Sequence, residues 1–284
     1  MKTLRTAAEI KRALEPHHRR STIALVPTMG ALHAGHVALF DAARRACDVV
    51  VVSVFVNPSQ FADPIDLARY PHNEAHDERL AAGAGVDFCF APTVDELYPS
   101  EYATWVQVDG PAQDLEGASR PGHFRGVATV CTKLFNIVAP HIAFFGQKDA
   151  QQVAVVRRLV RDLNLDVEIR VVPIVRDLDG LALSSRNVHL SPEERARAVA
   201  IPRALDAGLT AFRDHRDPVA AARAVLSGLP GVDIDYVAVA DFEGQPTLAI
   251  AARVGATRLI DNVPLELEGL GNAVNNNGVE RISR

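Results

Sequence analysis

The stretch IALVPTMGALHAGHVALFDAARRACDVVVVSVFV, residues 23–56, decides the fold. Ile23–Thr28 is a continuous apolar run of strand length. A glycine-bearing turn follows, then a helical stretch over His36–Ala46, then a second apolar run, Val49–Val56. Strands without polar alternation are buried on both faces, which is the signature of a parallel sheet covered by helices.

The same alternation continues outward. Thr6-Ala-Ala-Glu9 is a capping-box pattern that starts a short helix. A polar helical stretch lies around Glu74–Ala84, and Asp87–Phe90 reads as a short strand. Apolar residues at 127, 130, 131, 134, 137 and 138 give Val127–Val138 the helical period. Ile142–Phe145 is a strand, Ala150–Leu163 a helix and Val167–Val172 a strand. After about residue 176 the pattern changes. Ser191-Pro-Glu-Glu194 starts a helix expected to run to about Phe212, with another at Val219–Leu226. Strand-like segments at Ile234–Ala240, Leu248–Val254 and Arg258–Leu267 close the chain. The expected architecture is α/β. A Rossmann-like, doubly wound parallel sheet occupies residues 1–176, and a smaller α+β domain occupies 177–284. Such a sheet binds ligands beyond the carboxyl ends of its strands, near the point where strand order reverses.

Composition narrows the function. The 284 residues carry 30 basic and 35 acidic side chains, a formal charge of −5. That balance argues against nucleic acid as a partner, so any anionic substrate must be held by local groups. Cys47, Cys89 and Cys131 are too few and too scattered for a disulfide framework or a zinc site, which fits a reducing, cytoplasmic setting. The N-terminus lacks a signal-peptide apolar region, and Val49–Val56 is too short to span a membrane, so no membrane partner is expected.

Four motifs fall at predicted strand ends. Pro27-Thr-Met-Gly-Ala-Leu-His33-Ala-Gly-His36 joins the first apolar strand to its helix. Such a junction aims free N–H groups and a positive helix end at one point, which makes it an anion site. Gly30 lets the chain turn, and Gly35 admits close approach of a nucleotide. His33 and His36 are spaced to face one ligand and to stabilise charge as an α-phosphate is attacked. Two polar residues satisfying a helix start is the plainer alternative. Val56-Asn-Pro-Ser-Gln60-Phe61 offers the amides of Asn57 and Gln60 to a small polar substrate, or is simply an Asn-Pro turn. In Gly146-Gln-Lys148-Asp149, followed by Gln151-Gln152, Lys148 is placed to meet phosphates, while Asp149 could be only a helix cap. Leu183-Ser-Ser-Arg186 could clamp a triphosphate or be a solvated turn. A fifth stretch, Arg120-Pro-Gly-His123-Phe-Arg125-Gly126, lies near the site by its helix start, with no role evident from its chemistry. The phosphate-binding G-x-x-x-x-G-K-[ST] pattern is absent.

PTMGALHAGH, VNPSQF, RPGHFRGVATV, GQKDAQQ and VPIVRDLDGLALSSRN occur in the order and spacing of the pantothenate synthetase family, within the H-x-G-H nucleotidyltransferases. The resemblance is very specific from about residue 20 to 195. It implies an ATP-dependent ligase of coenzyme A biosynthesis that joins (R)-pantoate to β-alanine through a pantoyl-adenylate, with Mg²⁺, in a homodimer. Carried onto matching positions, Met29, Gly30, Ala31, Leu32, His33, Ala34, Gly35 and His36 bind ATP, with His36 as proton donor. Gly146, Gln147, Lys148, Asp149, Val175, Leu183, Ser184, Ser185 and Arg186 line the nucleotide. His33, His36, Lys148 and Arg186 form the catalytic set. Gln60 and Gln152 hold pantoate, and Asn57 and Gln60 lie near β-alanine. Two departures stand out. The family usually has Glu where this chain has Gln147, and its metal-contacting acidic positions match only at Asp77. Two rivals remain from the sequence. One is an H-x-G-H enzyme acting on a phosphorylated precursor, which would not need the three amides. The other is a non-catalytic nucleotide-binding regulator, which would not need the full cationic set.

Overall fold

The computed structural model describes residues 1–266. In chain order the elements are β1 (Lys2–Leu4), α1 (Ala7–Leu14), β2 (Ile23–Thr28), α2 (Ala34–Ala46), β3 (Val49–Val54), α3 (Pro64–Arg69), α4 (Glu74–Gly83) and β4 (Phe88–Phe90). Then come α5 (Val94–Leu97), α6 (Glu116–Ser119), α7 (His123–Val138), β5 (Ile142–Gly146), α8 (Ala150–Asp162) and β6 (Glu168–Val172). The chain continues through α9 (Pro192–Ala198), α10 (Ala200–Arg213), α11 (Pro218–Leu226), β7 (Val232–Asp241), β8 (Pro246–Val254) and β9 (Thr257–Pro264). Short 3₁₀ turns fill Pro58–Gln60, Gln147–Asp149 and Ser185–His189.

Six strands form one sheet in the order β1-β4-β3-β2-β5-β6, and every pairing is parallel. The expected doubly wound sheet is therefore present. The apolar runs explain it residue by residue. Ile23, Leu25, Val49 and Val51 pack under α1, α7 and α8, while Ala24, Val26, Val50 and Val52 pack under α2. Both phases of the strand alternation are buried, so both faces are mainly apolar, with Ser53 the buried polar exception in β3. Strand order reverses between β2 and β5, and the motifs gather there.

The C-terminal part has its own antiparallel sheet, β7-β8-β9, and its own core. Ile201, Leu205, Leu226, Leu248 and Ile250 meet in that core. The expected capping boxes form at Thr6 and Ser191.

Several elements differ from expectation. β1 was not anticipated; its three residues present no apolar run and gain strand geometry only by pairing with β4. The helix expected from residue 191 to 212 is divided at Val199 into α9 and α10. α2 begins two residues before the expected His36, because His33 caps it. α7 begins at His123, four residues before its apolar period, after the left-handed Gly122. The last strand ends at Pro264, and Leu267 of the expected segment lies outside the described residues, as do residues 267–284 of the expected second domain. Among the described residues no helix is long and apolar enough to cross a membrane.

Candidate active site

A chamber of about 230 Å³ opens at the strand-order reversal, between the ends of β2, β3 and β5. His33, His36, Lys148 and Arg186 line it, as do Asn57, Gln60 and Gln152. Met29, Gly35, Gly146, Asp149, Val175 and the stretch Leu183–Ser185 complete the predicted residues that reach it. Four motifs from separate parts of the chain thus line one chamber.

The H-x-G-H segment owes its shape to the start of α2. Gly30 takes a left-handed φ of 80°, and the chain then folds back into the helix. His33 is the helix N-cap: the Gly35 N–H donates to His33 Nδ1 at 3.1 Å. The His33 N–H donates in turn to His36 Nδ1 at 3.2 Å. A ring nitrogen that accepts carries no hydrogen, so in the neutral rings the hydrogen sits on Nε2. Burial lowers the proton affinity of both, helped at His33 by the Lys148 charge and at His36 by His33 and Lys148. His33 falls to about 4 and His36 to about 3. Near neutral pH the two rings are therefore neutral Nε2–H donors, with orientation fixed by the backbone of the helix they cap.

Asp77 lies behind this segment. It is 3% exposed and does not line the chamber. Ala31 N–H donates to its Oδ2 at 2.9 Å and Leu32 N–H to its Oδ1 at 2.7 Å. Asp77, expected from the resemblance to contact metal, is thus placed off the chamber wall, with one backbone amide on each of its oxygens. Gly30, Ala31, Leu32 and Ala34 likewise do not line the chamber; they form the turn that presents the histidines. Among the described residues no three His, Cys, Asp or Glu side chains gather as a metal-binding group. Asp149 is the one carboxylate on the chamber wall among these residues. Such surroundings suit an ion carried on a nucleotide's phosphates better than one caged by protein.

The amide wall is built on α7. A Cβ at Gly126 would lie 2.5 Å from the Ser59 carbonyl oxygen, so only glycine lets the Pro58–Gln60 turn rest on the helix. Asn57 is 1% exposed. Its Nδ2 donates to Gln60 Oε1 at 3.0 Å and to the Gly126 carbonyl at 3.1 Å, while its Oδ1 accepts from Ser59. Asn57 is therefore first a turn cap that fixes Gln60. His123 secures the same turn. Arg120 Nη1 stands 3.1 Å from its Nε2, and since a guanidinium only donates, Nδ1–H donates to the Gln60 carbonyl at 2.9 Å. This gives the fifth motif the structural place that its sequence withheld.

The opposite wall is held differently. Lys148 Nζ is 3.8 Å from Asp149 Oδ1, and Asp149 makes no side-chain bond as a cap of α8, so its carboxylate stays with the chamber. Gln147 turns away: its Nε2 donates to Asn262 Oδ1 at 3.2 Å, and Asn262 Nδ2 donates to the carbonyls of Gln147 and Lys148, both at 3.0 Å. Of the expected nucleotide-lining segment Gly146–Asp149, Gln147 is the member that does not line the chamber. In the last motif Ser184 caps its 3₁₀ turn, Ser185 Oγ donates to the Ala31 carbonyl, and Arg186 pairs with Asp66 of α3 at 3.0 Å.

Sequence reasoning missed a second group of residues. Glu116 is buried, receives Arg258 at 2.7 and 2.8 Å, and accepts from the Tyr236 hydroxyl at 2.8 Å. Tyr236 and Arg258 lie more than a hundred positions away in sequence, so no local pattern signals this cluster.

Against this geometry, a sequence model described as pantoate-beta-alanine ligase matches residues 2–264. The chain belongs to the pantoate–β-alanine ligase family. It is 50% identical over 281 residues to the pantothenate synthetase of Moorella thermoacetica, covering 94% of this chain and 99% of that one. To the pantothenate synthetase of Rhizorhabdus wittichii it is 54% identical over 257 residues, covering 86% and 91%. The crystal structure of the Thermus thermophilus pantothenate synthetase superposes with a TM-score of 0.89 at 46% identity, covering 93% of this chain and 99% of that one. A ligase of this family from Francisella tularensis, solved in complex with β-γ ATP and β-alanine, gives 0.82 at 33%, covering 93% and 97%. The chain is thus an enzyme, a ligase of pantothenate biosynthesis, on the fold of that family.

Proposed function

We propose that this ligase works in two steps through a pantoyl-adenylate, with ATP as the activating substrate. In the first step a pantoate carboxylate oxygen attacks the α-phosphorus of ATP. The bond from that phosphorus to the bridging oxygen breaks, and pyrophosphate leaves with the electron pair. In the second step the β-alanine nitrogen attacks the acyl carbon, AMP leaves, and the nitrogen loses a proton to give the amide.

The observation that carries the reading is the pairing of neutral Nε2–H donors on His33 and His36 with the cations Lys148 and Arg186 around one chamber. An anion attacking an anion needs positive groups and fixed donors at the phosphates, placed before reaction. His36 serves in this reading as a hydrogen-bond donor to the phosphate undergoing attack. Gln60 and Gln152 offer amides to the pantoate hydroxyls and carboxylate, and Ser184, Ser185 and Arg186 take the outgoing pyrophosphate. A magnesium ion borne on the triphosphate, with Asp149 as the chamber's carboxylate, would neutralise phosphate charge when bound. The chamber's 230 Å³ is less than drug-sized ligands fill, so the nucleotide must extend into the adjoining groove of about 870 Å³. The same reading divides the chain at residues 176 and 177, supported by the separate core that begins at Leu181.

Exchange of labelled pyrophosphate into ATP tests the mechanism. It is expected with pantoate alone and should not need β-alanine. ADP as the nucleotide product, or exchange that strictly requires the amine, overturns it.

A further inference from the structure

Arg120 has no part in the mechanism above, yet it stands where the chamber and the outer groove meet. Its side chain is only 19% exposed. Among the described residues its one hydrogen bond goes to His123 Nε2 at 3.1 Å. Its nearest carboxylate, Glu116, is 3.8 Å away and already receives Arg258 on both oxygens and Tyr236 on one. Burial lowers the proton affinity of Arg120, and the Arg186 charge lowers it further. A guanidinium with five donors is thus held on a binding wall with its charge only partly matched. That arrangement suits a planar anion.

Each substrate group can be set against it. The triphosphate has Lys148 and Arg186. The pantoate carboxylate is consumed in the first step. The carboxylate of β-alanine alone passes through the reaction unchanged, and the amine must enter from the groove once the adenylate fills the chamber. We propose that Arg120 is the specificity-determining residue for the amine substrate, its guanidinium taking the carboxylate of β-alanine and so aiming the amino group at the acyl carbon. The assignment rests on the ligase reading and adds the subsite that selects an amino acid over a plain amine. His123 is a positioning residue for it, joining Arg120 to the Gln60 turn.

The experiment compares β-alanine with β-alaninamide, which keeps the amine and lacks the charge, by AMP release with pantoate and ATP. Wild-type enzyme should prefer β-alanine by about 10²-fold or more, because the amide leaves a buried guanidinium unmatched. Arg120→Gln should bring the two amines within about tenfold, mainly by raising the KM for β-alanine, with pyrophosphate exchange close to wild type. Arg120→Lys keeps charge without the fork and should fall between them. It also serves as the test if the Gln variant does not fold, since unchanged selectivity in Arg120→Lys would then refute the proposal. Retained preference in a folded Arg120→Gln protein overturns it. So does parallel loss of exchange, which would put the guanidinium on the phosphates. Failure of exchange in the wild type would instead remove the adenylate reading and leave the amine comparison readable.

Discussion

The two sides of the chamber are built to different standards of rigidity. On the β2 side, His33 and His36 are locked by helix-start amides, and the turn before them is gripped by the buried Asp77. On the other side, Arg186 stands in a 3₁₀ turn and is held by Asp66, whose side chain is 42% exposed. A buried charge-assisted contact resists rearrangement, whereas an exposed ion pair contributes at most about 1 kcal/mol. The difference suggests a division of labour. Under the proposed mechanism, groups that meet the attacked phosphate are fixed beforehand, and the group assigned to departing pyrophosphate can change partners at little cost.

The sharpest way to break this contrast is His36→Ala. We expect a folded protein whose pyrophosphate exchange drops about 10²–10³-fold, the usual loss for one preorganised donor. Near-normal exchange would remove His36 from the phosphate site. Asp77→Asn comes next. It keeps the shape but exchanges one acceptor oxygen for a donor facing an amide N–H, so unfolding free energy should fall by about 1–3 kcal/mol. Its activity should not recover at raised Mg²⁺, whereas rescue by the ion would return Asp77 to the metal.

The third test uses pH. The folded His36 titrates at about 3, below its ordinary 6.5, so the unfolded chain takes up the proton first as pH falls. Its stabilising contribution is complete above about pH 6.5 and declines below it, by at most about 1.4 kcal/mol per unit. Melting temperature should therefore drop between pH 7 and 4.5, and His36→Ala should flatten that drop. An equal slope in both proteins would show the buried ring to be irrelevant to it. The smallest effect belongs to the looser wall. Asp66→Asn frees Arg186 and should lower the KM for ATP by up to about fivefold, the worth of an exposed pair. A raised KM would show that Asp66 orders Arg186 for the nucleotide rather than competing for it.

Much of this contrast was legible before the structure. The strands at Ile23–Thr28 and Val49–Val54 announce themselves because both of their faces are buried, and the histidine motif sits where the strand must turn. The amide contacts of Asp77 could not be read from the sequence, because a carboxylate's type says nothing about which distant backbone groups will reach it. The place of Gln147 was hidden in a similar way: its neighbours Gly146 and Lys148 reach the chamber, while 3₁₀ geometry sends its side chain toward β9. Arg120 and His123 could be placed near the site but not assigned, since their roles depend on Gln60 and Glu116 being adjacent. Glu116, Arg258 and Asn262 carried no signal at all, for their partnerships exist only after distant segments have met.

Asn262 sets a condition on when the enzyme can first exist during its own synthesis. The six parallel strands are all made once residue 172 has emerged, and the histidines, amides and Lys148 are by then present in the chain. Yet the carbonyls of Gln147 and Lys148 each receive a side-chain hydrogen bond from Asn262 of β9. A nascent polypeptide halted before that strand would carry nearly every reacting group while the turn bearing its lysine still lacked this clasp, so the chemistry is set only after a segment more than a hundred residues downstream has been made.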